Sequence, residues 1–314
     1  MNEVSDLMNV RSIKAWRAAR AFALSPSTVY RRMRTPSPPT ARREPSKTAK
    51  NADDEHIRKM IQQIKTAHPA WGHRRVRAWL RKKNQLAIGR KRTLRLMRET
   101  RTLCPRKVAK PRRNHLDQPL ATAPRTHWQI DMTSFVLENL QTVFFVLIID
   151  VFSRKIVGSC LSLRCRAKEW IQALDRAVLD EFPDGVRERH LVLRADNGSQ
   201  PTSRAFVDHL KTLGIRGEWT GYNSPESNAY VERVIRTLKE EVIWPNLFAS
   251  LTEAQQAINN AIDEYNADYP HSSLGYLSPN EFEQAWKNGL VSLEPFLDQK
   301  GRKKLRIRLS KKAA

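Results

Sequence analysis

Three acidic residues have the types and spacing for metal-assisted phosphoryl transfer. Asp131 lies in WQIDMT, Asp196 in RADNGSQ and Glu232 in SPESNAYVERVIRTLKEE, with 35 residues between the second and third. Carboxylate oxygens are the ligands that hard divalent cations take, and two such cations can serve the attacking and the leaving oxygen of a phosphodiester. An isolated Asp in a strand is most often a satisfied polar residue, so each acid is weighed by its context. Asp131 interrupts an apolar pattern in mid-strand, where a carboxylate is costly without a cation. Asp196 precedes the turn signal Asn197-Gly198 and therefore ends its strand, at the mouth where α/β sheets place ligands. Glu232 belongs to a helix opened by Ser224-Pro225, whose core stripe is Val231, Ile235, Leu238 and Val242. It sits about 100° from Val231, on the edge of that stripe. Arg236 and Lys239 share its flank, either beside a DNA backbone or as ordinary helix salt bridges. Asp150 is a rival acid, but the adjoining Ser153-Arg154 suggests a structural turn. Glu226 reads as a partner of the helix dipole, and Glu240 and Glu241 point elsewhere around the helix.

The elements that must position these acids begin near residue 124. HWQIDMTSFVL, TVFFVLIIDVF and KIVGSCLSL are β-rich runs separated by short turns. A helix at RAKEWIQALDRAVLDEF, a short strand HLVLRAD, a helix SRAFVDHLKTLG and a brief strand IRGEWT follow. The helix of Glu232 and two more, at TEAQQAINNAIDEYNADY and SPNEFEQAWKNG, close the domain. Three antiparallel strands followed by strand–helix alternation predict an α/β fold over 124–290, a ribonuclease-H-like mixed sheet with flanking helices.

All-α modules precede it. Residues 1–34 read as a helix-turn-helix, with Ser25 as N-cap, Pro26 at the first helical position, and Arg31 and Arg32 on the basic face of the second helix. Residues 35–53 are a Pro/Ser/Thr-rich linker. Residues 54–103 form a basic three-helix unit in which Val76, Trp79 and Leu80 are buried. Its outward side chains, Arg74 and Arg75 on one helix and Arg90, Lys91 and Arg92 on the next, are suited to DNA phosphates. Residues 104–123 are a connector, and 291–314 a basic tail expected to be flexible or to fold on DNA.

The charge distribution agrees with this division. The 314 residues carry a formal charge of +24. Residues 1–123 hold 31 basic and 8 acidic side chains, 124–296 hold 17 and 23, and 297–314 hold 8 and 1. Basic ends around an acidic-to-neutral centre point to a polyanion, most simply nucleic acid. The three cysteines make no CxxC pair, and the histidines show no zinc-site spacing. No Gly-rich phosphate loop implies a nucleoside triphosphate. The longest apolar stretch, VFFVLIIDVF, is far short of the ~20 residues of a membrane span, so a cytoplasmic protein is expected.

HWQIDMT, LIIDVFSRKIVG, ADNGSQ, SPESNAYVERVIRTLKEE and EYNADYPHSSLGYLSPNEF together resemble the retroviral-integrase-like core of DDE transposases of bacterial insertion sequences. The match is to the larger, second-frame product of the two-reading-frame family. AWGHRRVRAWLRKKNQLAIGRKRTLRLMRET is similar to the helical module preceding that core, so the resemblance spans about 55–288. It implies that Asp131, Asp196 and Glu232 bind two Mg²⁺ (or Mn²⁺), with Asp131 bridging. It implies that Lys239 contacts the transposon-end DNA. Double-stranded DNA, further copies of the chain and a first-frame protein or fusion are the implied partners. Tyr222, Asn223, Asn228 and Asn197 are candidates for DNA or supporting contacts around the mouth, with turn chemistry equally open for Asn197 and Asn223. The zinc-binding module of retroviral integrases and a leucine-zipper helix are absent from the pattern. A regulator with an inactive core and a structure-specific nuclease are the competing readings.

Overall fold

A computed structural model describes residues 47–104, 121–220, 228–297 and 303–310. The chain forms two compact units, Met1–Glu55 and His56–Ala314. The expected helix-turn-helix with Arg31 and Arg32, most of the connector, and Tyr222 through the Ser224-Pro225 helix start lie outside the described residues.

Five strands make the central sheet: β1 (His127–Val136), β2 (Thr142–Asp150), β3 (Ile156–Ser162), β4 (Val192–Ala195) and β5 (Arg216–Trp219), in the order β3-β2-β1-β4-β5. The first three pair antiparallel, and β4 joins β1 and β5 in parallel. This is the ribonuclease-H-like mixed sheet expected from the run of strands. Helix α4 (Ala167–Glu181) and helix α5 (Arg204–Leu213) make the β3–β4 and β4–β5 crossings. Later come α6 (Ala229–Leu238), α7 (Leu251–Asp268) and α8 (Pro279–Lys287).

Alternation along β2 separates two cores. Leu147 and Ile149 face a layer containing Val231, Val234 and Ile258 of α6 and α7. Val146 and Ile148 face Trp170 and Leu174 of α4 and Phe206 of α5. The second layer is close-packed: a side-chain carbon at Gly158 would come within 2.6 Å of the Ala173 carbonyl oxygen. Serines cap the later helices, and Ser278 and Glu281 make a reciprocal capping box ahead of Pro279.

Helices α1 (Lys47–Ala67), α2 (His73–Lys83) and α3 (Arg90–Glu99) form the basic unit. Two expectations change here. The first helix starts at Lys47, inside the stretch read as a linker. The unit also shares its hydrophobic core with the sheet: Ile57, Ile61, Val76, Leu80 and Met97 cluster with Leu147, Val231 and Tyr265. The joint is aromatic. His68 stacks on Trp71 at 3.9 Å, and Trp71 meets Tyr269 edge-on at 5.6 Å. The His68 ring also lies 3.5 Å from Glu241 and 3.2 Å from Glu264.

The tail departs from expectation as well. Strands β6 (Val291–Leu297) and β7 (Lys303–Leu309) pair into a hairpin. Its alternate residues Leu293, Ile307 and Leu309 pack with Phe152, Leu274 and Phe282. Basic residues on the strand KKLRIRL occupy the positions between.

Burial works against the His68 imidazolium, but Glu241 and Glu264 outweigh it and hold its pKa up at about 9. A pKa raised on folding adds stability that is complete below the unfolded value near 6.5 and is lost as pH rises through 9. Urea midpoints should therefore fall over that interval for the natural chain and stay flatter for His68→Gln. Parallel pH profiles would contradict the joint.

Candidate acidic site on one face of the sheet

Strand register brings the first two acids together. His127 pairs with Val192, Trp128 with Leu193 and Gln129 with Arg194. Carried two residues further, the same offset sets Asp131 beside Asp196, just past the end of β4, and neighbouring strands lie about 4.8 Å apart. Asp131 pairs on its other side with Leu147, which belongs to the layer under α6. Residues 193 and 195 point into the opposite layer, so Asp196 falls on the face of Asp131.

Helix α6 is pinned to that face by two buried amides. The Gln129 side-chain oxygen accepts from the Val231 N–H (3.2 Å), and the Asn228 amide donates to the Ile130 carbonyl (3.0 Å). These bonds lie at the two β1 residues just before Asp131 and hold the helix one residue from Glu232. The predicted stripe is seen at Val231, Ile235 and Leu238, with Val234 also buried. Glu232 projects from its edge and is exposed. Beyond Leu238 the helix widens into a π-turn, Lys239–Ile243, closed by Trp244 N–H to the Lys239 carbonyl (2.8 Å). The extra residue shifts the stripe, so Ile243 is buried where a regular helix would bury Val242.

The electrostatics show how close the acids are. Burial is the main cause that raises the Asp131 pKa, to about 7, and the charges of Asp196 and Glu232 add to it. The Met132 N–H (2.8 Å) and the Lys239 charge act in the opposite sense. Partial enclosure of its carboxyl also raises the pKa of Glu232, although much of the side chain is exposed. Among the described residues no three His, Cys, Asp or Glu side chains enclose a metal ion as they stand. The donor set nevertheless fits a hard divalent cation: it is all carboxylate oxygen, and its central member is enclosed, repelled by like charges and, among the described residues, hydrogen-bonded only to its own neighbour's N–H.

The rival Asp150 is excluded by geometry. It pairs with Trp128, on the other face, and its oxygens accept from the N–H groups of Arg125 (2.6 Å), Phe152 (2.8 Å) and Ser153 (2.9 Å). This is the structural turn expected of it.

The other expected residues divide. Lys239 stands close enough to act on the charge of Asp131. Arg236 instead pairs with Glu240 at 2.8 Å, the ordinary helix salt bridge. Asn228 is a correction: at 3% exposure, with its amide on β1, it cannot reach DNA and serves as a clamp. Arg75 is a second correction, because its guanidinium lies over the Tyr269 ring at 4.5 Å and faces the core. Arg74, Arg90 and Lys91 are exposed, and Arg92 is half-buried. Asn197 bonds the Thr220 carbonyl and ties the loop after Asp196 to the end of β5. Gln129 was not singled out from sequence. The available signal was a glutamine inside an apolar strand, two residues before the acid and on the same face.

Residues 121–225 and 213–279 match models of the integrase core domain, together covering just over half of the chain, and 52–110 match an HTH-like domain. The chain carries an integrase core. Among curated proteins it is similar to a transposase for insertion sequence element IS904 of Lactococcus lactis, 36% identical over 169 residues, covering 52% of this chain and 63% of that protein. It is also similar to transposase InsD for insertion element IS2 of Escherichia coli, 28% identical over 250 residues, covering 77% of this chain and 83% of that one. The chain thus spans less than two thirds of the first relative. Among solved structures, a chain of the simian T-cell lymphotropic virus intasome, in complex with PP2A regulatory subunit B56 gamma, aligns with a TM-score of 0.45 at 17% identity, covering 71% of this chain and 74% of that chain. The resemblance to insertion-sequence transposases read from the motifs is borne out by the two integrase core matches and the curated relatives. No described helix is long and apolar enough to cross a membrane.

The clamp at α6 is testable apart from any chemistry. Asn228→Leu leaves the Ile130 carbonyl buried without its donor and should cost about 1–3 kcal/mol. An unchanged urea midpoint would mean that the bond does not hold α6 to the sheet.

Proposed function

We propose that this integrase-core chain is a DNA transposase, cleaving insertion-sequence ends and joining the freed 3′-OH to target DNA by phosphoryl transfer. The observation that carries the reading is the register of Asp131 beside Asp196 on the face to which Gln129 and Asn228 pin the helix of Glu232. The insertion-sequence relatives support the substrate class. Asp131, Asp196 and Glu232 would hold two Mg²⁺ ions, or Mn²⁺ in their place, which when bound supply Lewis-acid polarisation of phosphate and water oxygens. Asp131 is the acid on which the charges of both others act.

The chain's own groups then orient the DNA. Lys239, on the helix of Glu232 and near Asp131, places a cation where a phosphate must pass. The exposed Arg74, Arg90 and Lys91, with Arg92, extend the basic surface, and Arg31, Arg32 and Tyr222 are proposed contacts in the remaining segments. Phosphoryl transfer needs in-line placement and charge neutralisation rather than a covalent protein nucleophile, so one site serves both nicking and joining. Further copies of the chain on DNA, and a first-frame partner or fusion, belong to the same proposal.

Incubation with labelled terminal inverted-repeat DNA and Mg²⁺ should yield strand-transfer products. Asp196→Asn should reduce them about 10²- to 10³-fold or more, the scale lost when a group acting on developing charge is removed. Full joining by that variant would overturn the site. Nicking without joining would favour a nuclease, and specific binding without chemistry a regulator. Affinity for DNA should fall steeply with salt as lysines and arginines release counterions.

A further inference from the structure

A second charged feature lies apart from the acids. Between α2, the start of α3 and the turn before α8 opens a cleft of about 700 Å³. Arg74, Arg77 and Arg81 enter it from one face of α2, at the three- and four-residue spacing that aligns side chains along a helix. Arg90 enters from the first residue of α3, and Tyr276 from the core. The lining acid Glu281 is taken up by Lys82 at 2.8 Å. Arg77 donates its Nε to the Ile88 carbonyl at 2.9 Å, which fixes the guanidinium in place. Arg74, Arg81 and Arg90 are exposed and form no ion pair with a carboxylate among the described residues.

Like charges gathered in this way are unfavourable unless a polyanion joins them. Their closeness shows in a neighbour: burial, then the charges of Arg90 and Arg74, lower the pKa of His73. The core side of the cleft is also unusual. Gly275 and Tyr276 are consecutive left-handed residues, with φ of +68° and +71°. Glycine suits the first because a side chain there would collide with Leu309. Tyrosine at the second is strained, and such strain persists where the surroundings impose it, often at ligand sites. The Tyr276 N–H donates to the His271 carbonyl at 2.7 Å, fixing the turn that presents the ring to the cleft.

The cleft is separate from the acids. Its core turn adjoins Leu274 and Phe282, which pack with Phe152 just beyond β2, where that strand lies opposite the start of β1. Asp196 follows the far end of β4. The volume, more than twenty times the ~30 Å³ of a water molecule, exceeds what one inorganic phosphate fills.

We propose that this cleft is an accessory DNA site, in which Arg74, Arg77, Arg81 and Arg90 take successive phosphates of one strand and the Tyr276 hydroxyl donates to a phosphate oxygen. The identity of the polyanion rests on the transposase reading; the presence of an anion site does not. The test is fluorescence anisotropy of a labelled duplex with the full chain over a series of NaCl concentrations. Replacing Arg74, Arg81 and Arg90 together by Gln should flatten the slope of log affinity on log salt by about 3 and raise Kd on the order of 10- to 100-fold. A control replacing the exposed Arg176, Arg189 and Lys287 should change the slope by less than about 1. Unchanged urea midpoints establish that the variants fold. A slope equal to the natural chain's, or an equal flattening by the control, would overturn the cleft while leaving end joining by the natural chain intact. A natural chain that binds no duplex would overturn the transposase reading with it.

Discussion

The site depends on one unfavourable interaction: a carboxylate enclosed in a sheet and faced by two others. Asp131 stands in the middle of β1, with Asp196 just past the end of β4 beside it and Glu232 on α6. Like charges so placed repel, and burial removes the water that would soften the repulsion. The surrounding structure keeps them there nonetheless. Two apolar layers fix the sheet, the Gln129 and Asn228 amides fix the helix, and neither clamp touches the carboxylates themselves. The arrangement is stable as a fold and incomplete as an electrostatic system, which is the condition in which a site takes up cations.

Other buried acids of the chain show the contrast. Asp150 is wholly enclosed, and burial raises its pKa to about 6, but three backbone N–H groups work against that rise. Glu181 is held by Arg125 and Lys155, which bring its pKa down despite burial. Each has its compensation within the protein, as buried charges require. Among the described residues Asp131 takes a hydrogen bond from the adjoining residue, with more distant help from Lys239. That difference is what sets Asp131 apart as the proposed ligand-binding acid.

Much of this was legible in the residues. The period-two runs gave the strands, the alternation of strand and helix gave the mixed sheet, and Asn197-Gly198 located the strand end at Asp196. What escaped depends on contacts between segments distant in sequence. Asn228 looks like any polar residue near a mouth until its amide is seen on Ile130, 98 residues away. Gln129 is informative only once α6 lies over it. The tail's strand KKLRIRL has the alternation of an amphipathic strand, but its charge suggested a free segment, and the apolar partners Phe152 and Phe282 come from elsewhere. The merging of the basic helices with the sheet likewise rests on Trp71 and Tyr269 meeting across the chain. The π-turn has no evident signature in KEEVI, and it displaces the buried position by one residue.

The central claim is most directly tested by the thermal stability of Asp131→Asn against the natural chain, with and without Mg²⁺. In the absence of divalent ions the substitution should raise Tm at neutral pH, because it removes a buried charge repelled by Asp196 and Glu232. Added Mg²⁺ should then raise the Tm of the natural chain and leave the variant nearly unmoved. A variant that melts lower without metal, and gains as much from Mg²⁺ as the natural chain, would contradict the account.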